Sequence, residues 1–334
     1  MLPIVAAGGV LVVAVAFAGF FVLREEEAAV RGDLIAYSCK EQKNPWYAIC
    51  VMKTDGTEKH RVTSRLTTSD PAWSPDGRRI VFTRNEDVGE STTFTDDDVF
   101  VMDADGGDLQ QLTPEQDGQM SGQPTWSPDG REIAFLRGRS VQSGVPSRFG
   151  DLFVMSADGG DLRQIARGPA NAPAWSPDGR EIAFALGENL SSQSANVDIY
   201  VVDATGGEPR PLTRTASSDE EAPAWSPDGS RIVFARSTFQ TQFDGKAAIF
   251  VIDRDGAGER LVLENQLFAP YSGSLSWSPD GRTIAFETSP SIGCIDVALV
   301  AVEGGPISRL TSCTKPTETA LAPVWQPAEA AGGP

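Results

Sequence analysis

A five-residue word, Trp-Ser-Pro-Asp-Gly, occurs verbatim at 73–77, 126–130, 175–179, 225–229 and 277–281. Its tryptophans, Trp73, Trp126, Trp175, Trp225 and Trp277, stand 53, 49, 50 and 52 residues apart, and Trp325 follows 48 residues later. A period near 50 marks a repeat architecture, in which each unit buries its apolar faces against its neighbours. The order inside each period is constant. After the word comes an apolar run (Ile80–Phe82, Ile133–Phe135, Ile182–Phe184, Ile232–Phe234, Ile284–Phe286) and then a polar stretch of varying length. A second run follows, such as "DVFVMD" or "DIYVVD", then a Gly-rich turn and a short segment such as "QQLT".

Four short strands per period, rich in Val, Ile and Phe and split by turn residues, read as a four-stranded antiparallel sheet. The strands are apolar on consecutive positions, so both faces of each sheet are covered, as in radially stacked sheets. The expected fold is all-β: a six-bladed β-propeller of four-stranded antiparallel blades over residues 33–327. Five units are complete and one is split. "DLIAYSC" (33–39), "YAICVMK" (47–53) and "KHRVT" (59–63) read as second, third and fourth strands that lack a first, which "APVW" before Gln326 supplies. The ring is expected to close by this one-plus-three pairing.

The word itself reads as the hairpin between first and second strands. Proline pre-sets φ for a type I turn, Asp bonds neighbouring backbone, and Gly takes the left-handed conformation that closes the loop. The tryptophan ring is expected to fill the wedge between blades. Where no such hairpin is needed, after Trp325, the chain reads "QPAEAAGGP" and the word is gone. WSPDG is therefore expected to be scaffold, not a site.

The stretch "PAWSPDGREIAFAL…DIYVVDATGGEPRPLT" resembles the propeller repeat of the TolB-like family, and the resemblance covers residues 33–327. It implies the fold but no single function, because similar propellers accompany prolyl oligopeptidase-type hydrolase domains and others form lyases. Only residues 24–32 separate the amino-terminal apolar run from the first strand, so the small α/β domain of TolB itself is not expected. No part in a Tol–Pal-type system is implied.

Residues 1–23 contain no charged side chain. Leu2 to Leu23 is long enough to cross about 30 Å of hydrocarbon as a helix. The reading is one transmembrane signal-anchor (1–23), a juxtamembrane linker (24–32) and, after the propeller, a disordered tail (328–334). The alternative is a cleaved signal peptide, with "AFA" at 16–18 as the cleavage site. With 28 Lys and Arg against 46 Asp and Glu, the net charge of −18 disfavours nucleic acid, whose phosphates need clustered cations.

Four cysteines fall into two local pairs. Cys39 and Cys50 flank a turn signal at Asn44-Pro45 and should face each other on the second and third strands of the split blade. Cys294 and Cys313 flank the Glu303-Gly304-Gly305 turn and should meet across the third and fourth strands of the last complete blade. Such bridges persist in oxidising compartments. The propeller is accordingly expected on the extracytoplasmic side of a cell membrane, with the amino terminus inside.

Catalytic signals are sparse. The sequence has no G-x-S-x-G, its sole histidine is His60 in "EKHRV", and its cysteines lack C-x-x-C spacing. "DADGGD" (103–108) offers Asp103, Asp105 and Asp108 as calcium ligands, yet equivalent turns read "SADGGD" and "DATGGE", where Asp-Gly and Gly-Gly are ordinary hairpin residues. No cofactor is expected, with calcium kept as the alternative. Asp98, Asp151, Asp198 and Asp296 each open a third strand, whereas Ala48 and Ala248 hold that position elsewhere. They either cap backbone N–H groups or form a partial acidic ring for a cation or basic peptide.

The loops 85–97, 137–150, 187–197, 236–247 and 287–295 return to the ring there and vary in length and composition. Phe94, Phe149, Phe239, Phe243, Phe268 and Tyr271 alternate on that face with acidic residues. Variable loops on a rigid scaffold are where binding concentrates. The expectation is a monomeric, non-catalytic module binding a protein, peptide or saccharide. The alternatives are a carboxylate-dependent carbohydrate-active enzyme at the propeller mouth, or a structural spacer.

Overall fold

The computed structural model describes residues 32–40, 47–63, 67–85, 97–113, 119–139, 150–187, 197–216, 218–238, 246–266, 274–291, 294–314 and 319–327. The apolar run 1–23, linker residues 24–31 and the tail 328–334 lie outside the described residues. Every regular element among those described is a β-strand.

Thr67–Trp73, Arg79–Asn85, Asp97–Asp103 and Gln110–Gln111 form one antiparallel meander. Asp219–Trp225, Arg231–Thr238, Lys246–Asp253 and Arg260–Gln266 form another. Between them a seven-stranded sheet runs Gln119–Trp126, Glu132–Arg139, Gly150–Ser156, Arg163–Trp175, Glu181–Gly187, Val197–Asp203, Arg210–Pro211. Arg163–Trp175 serves both halves, since its start pairs with Gly150–Ser156 and its end with Glu181–Gly187. Ser276–Trp277, Thr283–Ser291, Cys294–Ala301 and Ser308–Arg309 make a further meander.

The carboxy-terminal strand Thr319–Trp325 pairs antiparallel with Leu34–Lys40, with Ile35 opposite Trp325 and Lys40 opposite Thr319. Ala48–Lys53 and His60–Arg61 complete that sheet. The earliest and latest described strands thus share one sheet, which removes the exposed edge an open array would present. Innermost strands touch in a closed circle: Thr67–Trp73, Gln119–Trp126, Arg163–Trp175, Asp219–Trp225, Ser276–Trp277, Thr319–Trp325 and back to Thr67–Trp73. The fold is a β-propeller.

Phe82, Phe135, Phe184, Phe234 and Phe286, one per apolar run after the word, are fully buried. The five word tryptophans are buried as well. Trp225 packs with Ile199, Val201 and Leu212 of the preceding meander and with Phe234 of its own, so the indole fills the wedge between neighbouring sheets. Its Nε1 donates to the Ala174 carbonyl at 3.2 Å, and Trp277 Nε1 to that of Ala224 at 3.0 Å. Truncating a buried ring of this size costs about 3–5 kcal/mol.

The word is a self-contained hairpin. Ser74 Oγ donates to Asp76 Oδ1 at 2.6 Å, and that oxygen accepts from Arg78 N at 3.1 Å. Ser74 Oγ in turn accepts from Arg79 N at 2.9 Å, while Gly77 N donates to Ser74 O at 2.8 Å with φ of 64°. Ser127 and Asp129, Ser176 and Asp178, Ser226 and Asp228, and Ser278 and Asp280 repeat the Ser-to-Asp bond. Ser, Asp and Gly each make a hydrogen bond inside the turn.

A feature invisible in the pattern sits three residues before the tryptophan. Asp70, Gln123, Ala172, Ala222 and Ala322, each followed by proline, have φ between 49° and 55°. Non-glycine residues seldom adopt this region. Each marks a bulge in its innermost strand. Side chains from elsewhere in the ring take three of the freed N–H groups: Gln123 N donates to Thr83 Oγ1 at 3.0 Å, Ala172 N to Gln123 Oε1 at 2.7 Å, and Ala322 N to Glu287 Oε1 at 2.6 Å.

Two disulfides join Cys39 to Cys50 and Cys294 to Cys313, with Cα separations of 5.8 and 5.5 Å. The partners are those the spacing implies, but their placement differs in detail. Cys39 stands opposite Ala48 and Cys50 opposite Tyr37, so the first bridge is diagonal across the pair. Cys313 lies beyond the fourth strand, Ser308–Arg309, not on it. Its N–H donates to Asp296 Oδ1 at 2.7 Å, which draws the departing chain back over the start of the third strand, where Cys294 lies.

Candidate functional site

The ends of second strands, the starts of third strands and the exits of fourth strands gather on the face opposite the WSPDG turns. Asp98, Asp151, Asp198 and Asp296 all sit there, and each carboxylate accepts hydrogen bonds from the chain that leaves the fourth strand. Asp98 Oδ1 accepts from Thr113 Oγ1 at 2.6 Å and its Oδ2 from Gln111 Nε2 at 3.0 Å. Asp151 accepts from Gly168 N at 2.9 Å and Gln164 Nε2 at 2.6 Å. Asp198 accepts from Thr213 Oγ1 at 3.1 Å and Thr215 N at 3.0 Å. Asp296 accepts from Thr311 Oγ1 at 2.9 Å and from Cys313 N.

The threonine is a relay. Thr113, Thr213 and Thr311 each accept from the backbone N–H one residue after the aspartate, at 2.9 to 3.0 Å, while donating to the carboxylate. Where Ala48 replaces the acid, Thr63 still accepts from Ile49 N at 2.9 Å. The aspartates therefore tether loop roots, and they fix where the variable segments leave the scaffold. The aromatic tips Phe94, Phe149, Phe239, Phe243, Phe268 and Tyr271 lie outside the described residues.

Beneath these tethers runs a column of arginines. Arg84 stands opposite Asp98 and Arg137 opposite Asp151 in strand register, and Arg236 holds the equivalent place opposite Ala248. Their guanidinium groups lie over phenylalanines: Arg84 is 4.6 Å from the Phe100 ring centroid, Arg137 5.2 Å from Phe135, and Arg236 4.4 Å from Phe250. Burial lowers the Arg137 guanidinium from its ordinary value, and the Asp98 carboxylate opposes that. The sequence signal was an arginine two residues after the core phenylalanine in three repeats.

One position breaks the repeat with a charge. Five residues before the tryptophan the chain has Thr68, Ser121, Ala170 and Ala320, but Glu220 in the fourth case. Glu220 is 0% exposed. Its oxygens accept from Thr213 Oγ1 at 3.2 Å, Thr215 Oγ1 at 2.7 Å, Ser218 Oγ at 3.0 Å and Arg236 Nε at 2.8 Å. Arg236 forks onto Glu259 at 2.7 and 2.8 Å. Burial pushes the Glu220 carboxyl up, with Asp198 adding to the rise while Thr215 and Arg236 oppose it. Burial also raises the Asp219 carboxyl, against the bond from Val197 N. Arg236 stands opposite Ala248, and its carboxylate partners are Glu220 and Glu259.

His60 is exposed on its two-residue outer strand. The 103–108 turn keeps its carboxylates for itself, since Asp105 Oδ1 accepts from Gly107 N at 2.9 Å and Asp108 Oδ2 from Gln110 Nε2 at 2.9 Å. Among the described residues no group of three His, Cys, Asp or Glu side chains could hold a metal ion.

A closed ring of antiparallel meanders, with internally bonded hairpins on one face and tethered loop roots on the other, defines a β-propeller. The chain belongs to the TolB beta propeller domain family, whose model matches residues 27–171 and 165–328. Among solved structures it is similar to TolB from Acinetobacter baumannii, at 21% identity and TM-score 0.68, over 90% of this chain and 69% of that one. It is also similar to a putative TolB from Agrobacterium tumefaciens, at 19% identity and TM-score 0.58, over 90% and 99% of the two chains. Uncharacterized peptidase YuxL of Bacillus subtilis is 28% identical over 104 residues, and the matched stretch spans 31% of this chain and 14% of that protein.

Proposed function

We propose that this chain is a six-bladed TolB-type propeller, held by residues 1–23 at a cell membrane, that binds a protein, peptide or saccharide outside the cytoplasm through its variable loops. The observation that carries the reading is the repeated tether of Asp98, Asp151, Asp198 and Asp296. It pins the loop roots of four blades, while the sequence between roots differs from blade to blade. Constant roots and changing tips are what a recognition face needs. The two disulfides support the extracytoplasmic placement, because such bridges endure where thiols are not kept reduced. The net charge of −18 favours a basic partner segment.

A second reading, an enzyme working through carboxylates, draws on Glu220 and Asp198. Both touch Thr213 Oγ1, and the Glu220 carboxyl is raised. Against it stands access, since no substrate atom reaches a carboxylate that is 0% exposed and filled on both oxygens. Affinity capture from solubilised membranes tests the binding reading. A partner held by the full chain, lost when residues 86–96 or 239–245 become Gly-Ser linkers and kept in Asp178→Ala, supports it. Capture that no loop replacement changes rejects it.

A further inference from the structure

We propose that Asp198, Thr213 and Glu220 form a proton-operated latch on the segment that carries the chain from Arg210–Pro211 to Asp219–Trp225. The latch is closed while one proton is held between the two carboxyl groups, and it loosens when that proton leaves.

Three repeats share a tether in which an aspartate accepts from the backbone N–H seventeen residues later. Asp151 accepts from Gly168, Asp198 from Thr215 and Asp296 from Cys313, at 2.9, 3.0 and 2.7 Å. Five residues before the next tryptophan stand Ala170, Glu220 and Ala320, so the second tether alone of the three meets a glutamate. Thr213 Oγ1 accepts from Ile199 N at 2.9 Å and lies between two carboxyl oxygens, 3.1 Å from Asp198 Oδ1 and 3.2 Å from Glu220 Oε2. A hydroxyl has one proton, so it serves one of those oxygens and not both. Where no second acid competes, Thr113 and Thr311 approach their aspartates more closely, at 2.6 and 2.9 Å.

A proton on Glu220 Oε2 resolves the conflict. It is donated to Thr213 Oγ1, which has a second lone pair to accept it, and Thr213 gives its own proton to Asp198. Without it, two carboxylates flank one hydroxyl among buried side chains, and each disfavours the charge of the other. Burial raises the Glu220 carboxyl, the bonds from Thr215 and Arg236 oppose the rise, and Asp198 adds to it. Glu220 therefore keeps its proton above the ordinary glutamate value and releases it as pH rises through the folded-state value.

The charges around the latch leave the conflict unrelieved. Asp219 and Glu221 flank Glu220 in its own strand, and the cation bonded to it, Arg236, is shared with Glu259. Arg214 is exposed, Arg163 pairs with Glu132, and Arg167 bonds Gln164. Farther along the packed strands Glu181 bonds Arg210 and Arg254, Asp203 bonds Thr205, and Arg231 lies over Trp277. Ser276–Trp277 carries no charged side chain. What gives on ionisation is the segment held from both sides: Thr215 donates its N–H to Asp198 and its hydroxyl to Glu220, and Ser218 Oγ donates to Glu220. The latch needs no partner, so its test is separate from that of the binding-loop reading.

The test is amide hydrogen exchange of the full chain at pH 5 and pH 8, corrected for the intrinsic exchange rate. Protection of the Thr215 N–H should fall by about tenfold or more between the two, the factor that one unit of displaced titration represents. The matching N–H groups of Gly168 and Cys313 should keep their protection. Glu220→Gln should abolish the change at Thr215, because a neutral amide donates where the carboxyl proton did and carries no charge to lose. Equal pH responses at Thr215, Gly168 and Cys313 would overturn the proposal, as would a response at Thr215 that survives in Glu220→Gln. If Glu220→Gln does not fold, Asp198→Asn takes its place with the same readout, and a response at Thr215 unchanged from wild type would also overturn it.

Discussion

The side-chain amide of Gln326 donates from Nε2 to the carbonyl of Gly77 at 3.2 Å, across 249 residues of chain. Its Oε1 accepts from Gly32 N at 3.3 Å, and its backbone N–H donates to Leu34 O at 2.9 Å. Elsewhere each word glycine rests against the proline of the preceding word: Gly130 on Pro75, Gly179 on Pro128, Gly229 on Pro177 and Gly281 on Pro227. A side chain at Gly77 would meet Gln326 at 3.1 Å and would require φ of 64°, so neither contact nor backbone leaves room for one. Gln326 thus completes a ladder of turns around the ring where the word itself is absent.

Replacing Gln326 with Ala should lower stability by about 1–3 kcal/mol, since it leaves the buried Gly77 carbonyl without its side-chain donor. Chemical denaturation of the purified protein measures it. Gln326→Glu should be no milder, because a carboxylate cannot donate to that carbonyl.

Deleting residues 322–334 removes most of the closing strand and exposes the edge of Leu34–Lys40, which pairs with it. The truncated protein should unfold or self-associate, as unpaired edges do. Size-exclusion chromatography and a thermal melt decide the matter, and a monomer with unchanged melting temperature would contradict the closure.

Each disulfide closes a short loop, with sequence separations of 11 and 19. Chain entropy assigns about 3 kcal/mol to bridges of this size. The paired substitutions Cys39→Ser with Cys50→Ser, and Cys294→Ser with Cys313→Ser, should each cost that order. Peptide mapping of unreduced protein purified from membranes should recover both links, and freely alkylated thiols would contradict the extracytoplasmic placement.

The bond from Ser176, with help from Arg254 and Arg180 N, holds the Asp178 carboxyl down at about 2. A depressed carboxyl contributes stability above its ordinary value, near 3.8, and loses it as pH falls towards about 2. Asp178→Ala should therefore cost about 0.5–2 kcal/mol at neutral pH, and the difference from wild type should shrink between pH 4 and 2. Loop-face binding should be untouched, so lost affinity at unchanged stability would make the word a site after all.

Glu220 works in the opposite sense. Its carboxyl is raised by burial, so folding is favoured below the ordinary glutamate value near 4.5, and that advantage is lost as pH rises through the folded-state value. Glu220→Gln should flatten the stability profile above pH 4.5 relative to wild type. Thermal melts across pH 4 to 8 give the readout, and parallel profiles would show that Arg236 carries the charge without cost.

How far the chain could be read depended on which forces act locally. The Pro, Asp and Gly of the word determine a hairpin through φ preferences and bonds spanning at most five residues, so the turn and its absence after Trp325 were legible by eye. Cysteine spacing named the partners for the same reason. The diagonal of Cys39 on Cys50 and the position of Cys313 past its strand were decided by pleat register and by Asp296 drawing in Cys313 N, neither of which spacing contains.

The candidate site divides along the same line. That Asp98, Asp151, Asp198 and Asp296 share a position was plain from the repeat, but not that threonines fifteen residues later would occupy three of them, because strand pairing alone brings those residues together. Glu220 stood out in the sequence only as one acid among many. Its burial, its grip on Arg236 and the left-handed bulges at Gln123 and Ala322 arise from contacts between blades. The sequence by itself determined a closed ring of repeated four-stranded meanders, since turn chemistry and strand patterning are written within each period. The tertiary structure alone decided which charges were buried and paired, as Glu220 is with Arg236, because a charge's partners are fixed only by its neighbours in space.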